Sequence, residues 1–458
     1  MARPLHVLRA LAGDGAALGD HAQAADVRAS GGLVAAPTAG LPEQVGGERN
    51  WDYRYTWVRD ASFSVLTLLD LGFVDEAAAF GQWLGDRFRE GAGSGADAAG
   101  PLNIMYRVDG SSDLKEEVLE HWSGYRGSRP VRIGNGAAGQ LQLDIYGEAM
   151  DSLFAGDAAG LRVPHRGWGA VTGVLDWLAE HWDQPEEGIW ETRGGRQAFT
   201  YGRLMSWVAL DRGVRLADRY GRPAPADRWR AERDRIYTQV MDRGWSPRRK
   251  AFVQHYATDV LDAALLRMPR LGFVTPRDPQ WLSTLDAMAG ELVTDSLVYR
   301  YDPEASPDGL QGSEGTFSLC TFAYVDALAR AGRLEEARQV FEKMLTYANH
   351  VGLFSEEIAL TGEQIGNFPQ AFTHLALADA AVTLNAAMDA PTLRHRDSHA
   401  LIQRLAGRGL RPPASRRKSA RESREKCARV AGWGATRVAL AHLVRRIWAG
   451  RPGPSVAA

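Results

Sequence analysis

The sequence predicts an all-α fold, and three observations carry that prediction. Apolar residues recur at three- and four-residue spacing through most of the interval 31–390. Alternation of apolar and polar residues, the mark of a half-buried strand, is scarce. Two junctions, Leu71-Gly72-Phe73-Val74-Asp75-Glu76-Ala77 and Ala331-Gly332-Arg333-Leu334-Glu335-Glu336-Ala337, repeat one helix–turn–helix design. In each, glycine suits the left-handed cap that ends one helix, and acidic residues open the next at its positive end.

The helices expected, in order, are Ala61–Leu71, Glu76–Arg87, Gly139–Phe154, Val171–His181, Phe199–Tyr220, Pro225–Val240 and Val260–Arg267. Trp281–Leu292, Thr316–Ala331, Leu334–His350 and Gln370–Met388 follow. Helices joined by short turns fit either an α-solenoid or a closed α/α barrel, and periodicity does not separate the two. Between them lie long, aromatic, Gly-rich loops at 46–58, 120–136, 185–200, 297–315 and 352–369. Loops of that length in a compact domain carry function, and their alternation with helices suits delivery to one end of a barrel.

Three regions differ in character: an Ala/Gly/Asp-rich segment at 1–30, the patterned region 31–390, and a tail from 391 to 458. The tail holds 16 Lys and Arg against Asp397, Glu422 and Glu425, a net of +13. The whole chain carries -2, so the remainder is near -15. Pro412, Pro413 and Ser415-Arg416-Arg417-Lys418 read as a disordered linker, with a short amphipathic helix near Ala435–Trp448. The tail is expected to be solvated, and neither a nucleic-acid nor a membrane partner is expected. The N-terminal apolar stretch is broken by His6 and Arg9, and no apolar run is long enough to span a bilayer, so a cytoplasmic location is expected. With Cys320 and Cys427 as the only cysteines, neither a disulfide framework nor a zinc cluster is expected. His-x-x-x-His occurs only at His395 and His399, in poor context, and neither a phosphate loop nor a G-x-S-x-G elbow is present. No metal or cofactor is therefore expected.

Three clusters carry chemistry. Asn50–Asp60 packs four aromatics, two arginines and two aspartates before a helix. Arg59 and Asp60 could simply pair or cap that helix. Equally, Arg donates and Asp accepts while Trp57 offers a stacking face, which is how a protein grips the hydroxyls of one sugar. In Glu186–Gly195, Glu191 follows Trp190 on a Gly-flanked loop. A carboxyl desolvated by an indole stays protonated near neutral pH, as a general acid must. An exposed surface glutamate is the plain alternative. The third cluster is Leu353-Phe354-Ser355-Glu356-Glu357-Ile358, with Gly362–Gln370 after it. Adjacent carboxylates repel unless one has a partner or a task. The 14 Trp residues suit sugar stacking as well as a core.

These clusters, in this order on a helical chain, resemble glycoside hydrolase family 15, which holds glucoamylases, bacterial glucoamylase-like enzymes and bacterial trehalases. The resemblance spans roughly 31–388 and includes Ala36–Glu43, Arg129-Pro-Val-Arg-Ile-Gly-Asn135 and Gly366–Leu375. It implies an (α/α)6 barrel, a toroid of six hairpins, and an inverting, exo-acting α-glucosidase. By the resemblance Glu191 is the general acid and Glu356 the general base, while Glu357 contacts substrate. Trp57, Arg59 and Asp60 then form the pocket for the terminal glucose, Arg300 binds substrate, and Trp122 and Trp190 are pocket walls. Inversion needs room for a water, so the two carboxyls should lie roughly 6.5–9.5 Å apart. The substrate implied is an α-glucan, a malto-oligosaccharide or trehalose. Gly136–Gln142 leans toward the glucoamylase-like members, with trehalase as the alternative on the same scaffold. From other classes, an inactive sugar-binding or scaffold remnant and a disaccharide phosphorylase compete. Two departures stand out. The first barrel helix falls within 1–30, where Gly13, Gly15 and Gly19 make a poor helix and leave it incomplete. The family's Phe-Thr-Ser-Ser-Lys reads here Phe199-Thr200-Tyr201-Gly202-Arg203.

Overall fold

The computed structural model describes residues 31–93, 100–306 and 308–406. Ten α-helices run through them: α1 (Val58–Asp70), α2 (Val74–Gly93), α3 (Asp144–Ala158), α4 (His165–His181) and α5 (Thr200–Tyr220). α6 (Ala226–Arg243), α7 (Pro279–Glu291), α8 (Ser318–Ala331), α9 (Leu334–Leu345) and α10 (Ala371–Ala406) complete the set. The two predicted glycine caps form, with φ of +83° at Gly72 and +79° at Gly332, and acidic residues open the helices that follow.

Successive helices alternate between two environments. α5 buries 17 of its 21 residues, and α6, which follows it, buries three of 18. α8 buries 12 of 14, and α9 four of 12. The more buried helix of each pair lines an inner wall. In that wall α1 packs on α3, α3 on α5, α5 on the 3-10 turn Ala263–Arg267, that turn on α8, α8 on α10, and α10 back on α1. The ring closes, which decides between the two architectures left open by periodicity. The fold is an (α/α)6 barrel. Among the described residues five helices (α2, α4, α6, α7 and α9) pack outside it, and the doubtful first helix within 1–30 lies outside the described residues.

The inner helices approach one another closely where side chains are small. At Gly147 of α3 a Cβ would lie 2.3 Å from the Met205 carbonyl oxygen of α5. At Gly202 of α5 it would meet the Glu186 carboxylate. The departure noted at Phe199–Arg203 thus has a physical counterpart, a helix face cut away to admit a buried glutamate.

Several helix expectations shift. Of the helix expected at Val260–Arg267, only Ala263–Arg267 forms, as a five-residue 3-10 helix capped by the Asp262 side chain, which accepts from the Ala264 N–H. Pro269 follows and cannot donate to a continuing helix. The helix expected from Gly139 starts at Asp144, because Gly136–Gly139 forms a separate 3-10 turn under an Asn135 cap. The last helix runs to Ala406, past the boundary expected at 390. The linker around Pro412–Lys418 and the helix near Ala435–Trp448 lie outside the described residues. Among the described residues no helix is long and apolar enough to cross a membrane.

Each inner helix is entered from a long loop, so the loops and the inner N-termini share one end of the barrel. Loop contacts bind that end together: Arg49 to Asp308, Thr38 to Asn367, and the Arg193 N–H to the Asp308 carbonyl at 2.6 Å. Short strands stiffen it. Thr56–Trp57 pairs with Met105–Tyr106, and Glu357–Ile358 is the middle strand between Thr316–Phe317 and Gln364–Ile365.

Candidate active site

A pocket of about 780 Å³ opens at the loop end. Its lining includes Trp57, Arg59, Asp60, Trp190, Glu191 and Arg300, six of the residues expected at the site. Trp57 ends the short strand ahead of α1, and Arg59 and Asp60 fall in the first turn of α1. Arg59 is buried and bonded at every nitrogen, with one Nη2 N–H left over: Nε donates to Asp60, Nη1 to Gln142 at 2.9 Å and Asp144, and Nη2 to Glu191 at 3.1 Å. Burial pushes the Asp60 carboxyl up to about 7 against the pull of Arg59, with Glu191 adding to the rise.

Glu191 sits at φ +58°, a left-handed conformation that a non-glycine residue adopts only where its surroundings enforce it. A turn closed by the Glu191 N–H to the Gly188 carbonyl holds it there. Its Oε1 accepts from Trp57 Nε1 at 2.6 Å and from Arg59 Nη2. Oε2 has no protein hydrogen bond among the described residues. The expected apolar seal around this carboxyl is not what forms. Its side chain is 21% exposed and ion-paired to Arg59, and the neighbouring Trp190 gives its Nε1–H to Asp262 at 3.0 Å.

Glu356 lies one layer behind the pocket lining and is fully buried. Tyr53, which does line the pocket, donates its hydroxyl to Glu356 Oε1, and the Asn367 N–H approaches Oε2 at 3.3 Å. Gly366 packs against the same carboxylate so closely that a Cβ there would lie 2.7 Å from Oε2. Burial pushes the Glu356 carboxyl up to about 8, and Glu43 adds to the rise. Glu357, the next residue, faces elsewhere. It accepts from the Gly315 N–H at 2.7 Å and from Arg300 at 3.3 Å, and it does not reach the pocket surface. In this arrangement it anchors Arg300, and the structure does not bring it to the pocket surface as the sugar contact expected from the sequence.

Arg300 is held by three carboxylates, Glu43, Glu314 and Glu357. Their oxygens lie within 4.8 Å of one another, a spacing that could suit a metal ion, but the guanidinium bonds all three. The cluster is therefore an ion-pair nest. Trp122 is also corrected. The residue is 57% exposed, next to His121, and it does not line the pocket; its N–H closes a tight turn on Leu119.

Glu43, Arg49, Tyr53 and Asp308 also line the pocket, without having been singled out individually in the sequence. Tyr53 stood inside the first aromatic cluster, and Glu43 ended the Ala36–Glu43 motif. Arg49 and Asp308, paired at 2.8 Å across 259 residues, left no local signal.

An all-helical barrel with a carboxylate-lined pocket at its loop end defines a glycosidase-type scaffold, and comparison with known proteins gives the family. The model for glycosyl hydrolases family 15 matches residues 17–382, and the chain belongs to that family. It is 44% identical to a trehalase of Mycolicibacterium smegmatis over 77% of this chain and 52% of that protein. It is 40% identical to a trehalase of Thermoplasma acidophilum over 78% of this chain and 60% of that protein. The chain thus spans about half the length of the mycobacterial relatives it matches. Among solved structures, a wild-type glycosidase superposes with a TM-score of 0.63 at 20% identity, covering 84% of this chain and 97% of that one. A bacterial glucoamylase complexed with acarbose gives 0.59 at 14% identity, over 77% and 52%. These likenesses concern the fold.

Proposed function

We propose that the chain is an inverting, exo-acting α-glucosidase with trehalose as its substrate. The single observation that carries the chemistry is the placement of Glu191, with Oε1 doubly occupied and Oε2 left to hold a proton in the pocket. The choice of trehalose rests on relatives 39–44% identical over about three quarters of the chain, all of them trehalases. This moves trehalase ahead of the glucoamylase-like reading, whose support is a likeness of fold.

One glucose unit occupies the deep end, with Arg59 and Asp60 at its hydroxyls and Trp57 and Trp190 as walls. Glu191 gives its Oε2 proton to the bridging oxygen as the C1–O bond breaks. A water on the opposite face attacks C1 and loses a proton toward Glu356. Because Tyr53 covers Glu356, the water passes its proton to the Tyr53 oxygen while the Tyr53 hydroxyl hydrogen moves to Glu356. Glu356 ends protonated, Glu191 ends ionised, and a proton exchange with solvent resets both. The buried floor closes the pocket behind the terminal unit, so only a chain end enters.

Incubation with trehalose, followed by proton NMR of the anomeric signals, tests this. Inversion yields one β-glucose and one α-glucose per trehalose at early times. Two α-glucose molecules would refute inversion, and glucose release from maltotriose but not trehalose would return the glucoamylase-like reading. No hydrolysis of any α-glucoside would favour the inactive remnant.

A further inference from the structure

Arg193, two residues beyond Glu191, lines the same pocket but differs from the other guanidinium beside the acid. Arg59 is buried, with only one Nη2 N–H not already bonded to protein. Arg193 is about one-third exposed and commits only Nη2, to Glu116 at 3.1 Å. Its Nε and Nη1 make no protein hydrogen bond among the described residues. The group is nevertheless rigidly presented. Its backbone N–H is tied to the Asp308 carbonyl, and Gly309 lies so close that a Cβ there would sit 2.5 Å from the Arg193 carbonyl carbon. Its guanidinium lies 4.7 Å from the Trp51 ring centroid. That indole is itself fixed by its Nε1–H to Glu43 at 2.9 Å. Glu116 is anchored in turn by the Gly136 N–H at 2.8 Å.

We propose that Arg193, presented on Trp51 at the mouth of the pocket, binds the leaving-group sugar and sets the preference for its hydroxyl pattern. The inference deepens the glucosidase reading and rests on it. Exposure rises along the pocket from Arg59 and Asp60, through Glu191, to Arg193. Glu191 marks the scissile oxygen, so the unit that departs lies on the open side of it, where Arg193 stands. A planar fork with free N–H groups suits a pair of neighbouring hydroxyls, and the Trp51 indole, which carries the guanidiniums of Arg193 and Arg132 at 4.7 and 4.8 Å, holds that fork in place. Neither contact changes between ground and transition state, so the expected signature is uniform binding.

The test compares trehalose with α-glucosyl fluoride, whose leaving group offers nothing for Arg193 to bind. Arg193→Ala should raise KM for trehalose at least tenfold with kcat within about threefold, while kcat/KM for the fluoride changes less than twofold. Arg193→Lys should lie between the two on trehalose, since it keeps the charge and loses the fork. An equal loss on both substrates, or none on either, overturns the assignment. A wild-type chain that releases glucose from neither compound would instead sink the glucosidase reading on which this one stands.

Discussion

Tyr53 donates its hydroxyl to Glu356, while Trp57, one helical turn's worth of residues later in the sequence, donates to Glu191. Their rings meet edge to face at 5.3 Å. One short aromatic segment therefore positions both carboxylates. Tyr53→Phe removes the donor and the relay but keeps the ring. It should lower kcat by on the order of 10²-fold, the lower range for general acid–base groups. The lost donor favoured ionised Glu356, so its carboxyl should rise further. Steady-state pH profiles should show the acidic limb of kcat/KM moved to higher pH.

Glu43 supplies the opposite perturbation. It is buried in the pocket wall between Trp51 and Arg300, and its charge raises Glu356. Burial raises Glu43 and Glu357 as well, so the three carboxyls titrate as a group. The base must be ionised to work, so activity should fall as pH drops through the Glu356 value near 8. Glu43→Gln removes a like charge and should move that limb down by about one pH unit, a typical effect for a close charge. A limb that stays in place would show that Glu43 and Glu356 do not share their protons.

Glu191→Gln keeps the Oε1 hydrogen bonds and removes the acid proton. Hydrolysis of trehalose should fall by on the order of 10³-fold, within the range for a general acid. Fluoride leaves without needing a proton, so α-glucosyl fluoride should lose far less. Parallel kinetics on the two substrates check this, and equal losses would show that Glu191 serves another step.

The helices were legible because each rests on local pattern, whereas Glu191 and Glu356 stood out locally only as candidates and took their roles from the family resemblance. Three-and-four spacing marks the inner faces, the paired glycines mark the caps, and Trp190-Glu191 and Glu356-Glu357 stand as adjacent pairs. What could not be read depends on direction. Adjacent residues at the head of a strand point oppositely, so Glu356 meets Tyr53 while Glu357 turns to Arg300. Trp122 has the composition of a pocket wall but rides a turn that faces solvent. Arg49 and Asp308 meet only because the ring closes, and no window of sequence contains both.

Stability should depend on pH through the buried carboxyls outside the proposed proton transfer. Burial pushes Glu186 up to about 8, and Asp144 and Asp262 up to about 6. A carboxyl raised on folding binds its proton more tightly in the folded state. Its stabilising contribution is complete below the unfolded value and is lost as pH climbs through the folded one. Thermal unfolding should therefore move to lower temperature, by at least a few degrees, as pH rises from 5 to 8.5. Glu186→Gln should flatten the part of that slope nearest pH 8, and a melting temperature that climbed over this range would contradict the assignment.

The barrel wall itself offers the last prediction. α3 and α5 meet at Gly147, where a Cβ would stand 2.3 Å from the Met205 carbonyl oxygen and 2.7 Å from the Met205 Cβ. In an isolated helix Gly→Ala would stabilise by about 1 kcal/mol through the unfolded chain. Here the obstacle is backbone, which cannot swing aside as a long side chain would. Overpacking of this kind costs roughly 1–3 kcal/mol, so the net sign reverses. Gly147→Ala should unfold at lower denaturant than the parent. Because α3 carries Asp144 against Arg59, displacement of the helix should also weaken hydrolysis more than binding of glucose. Gly169, on the outer helix α4 with nothing within 4 Å of its would-be Cβ, serves as the control: Gly169→Ala should leave stability unchanged or raise it.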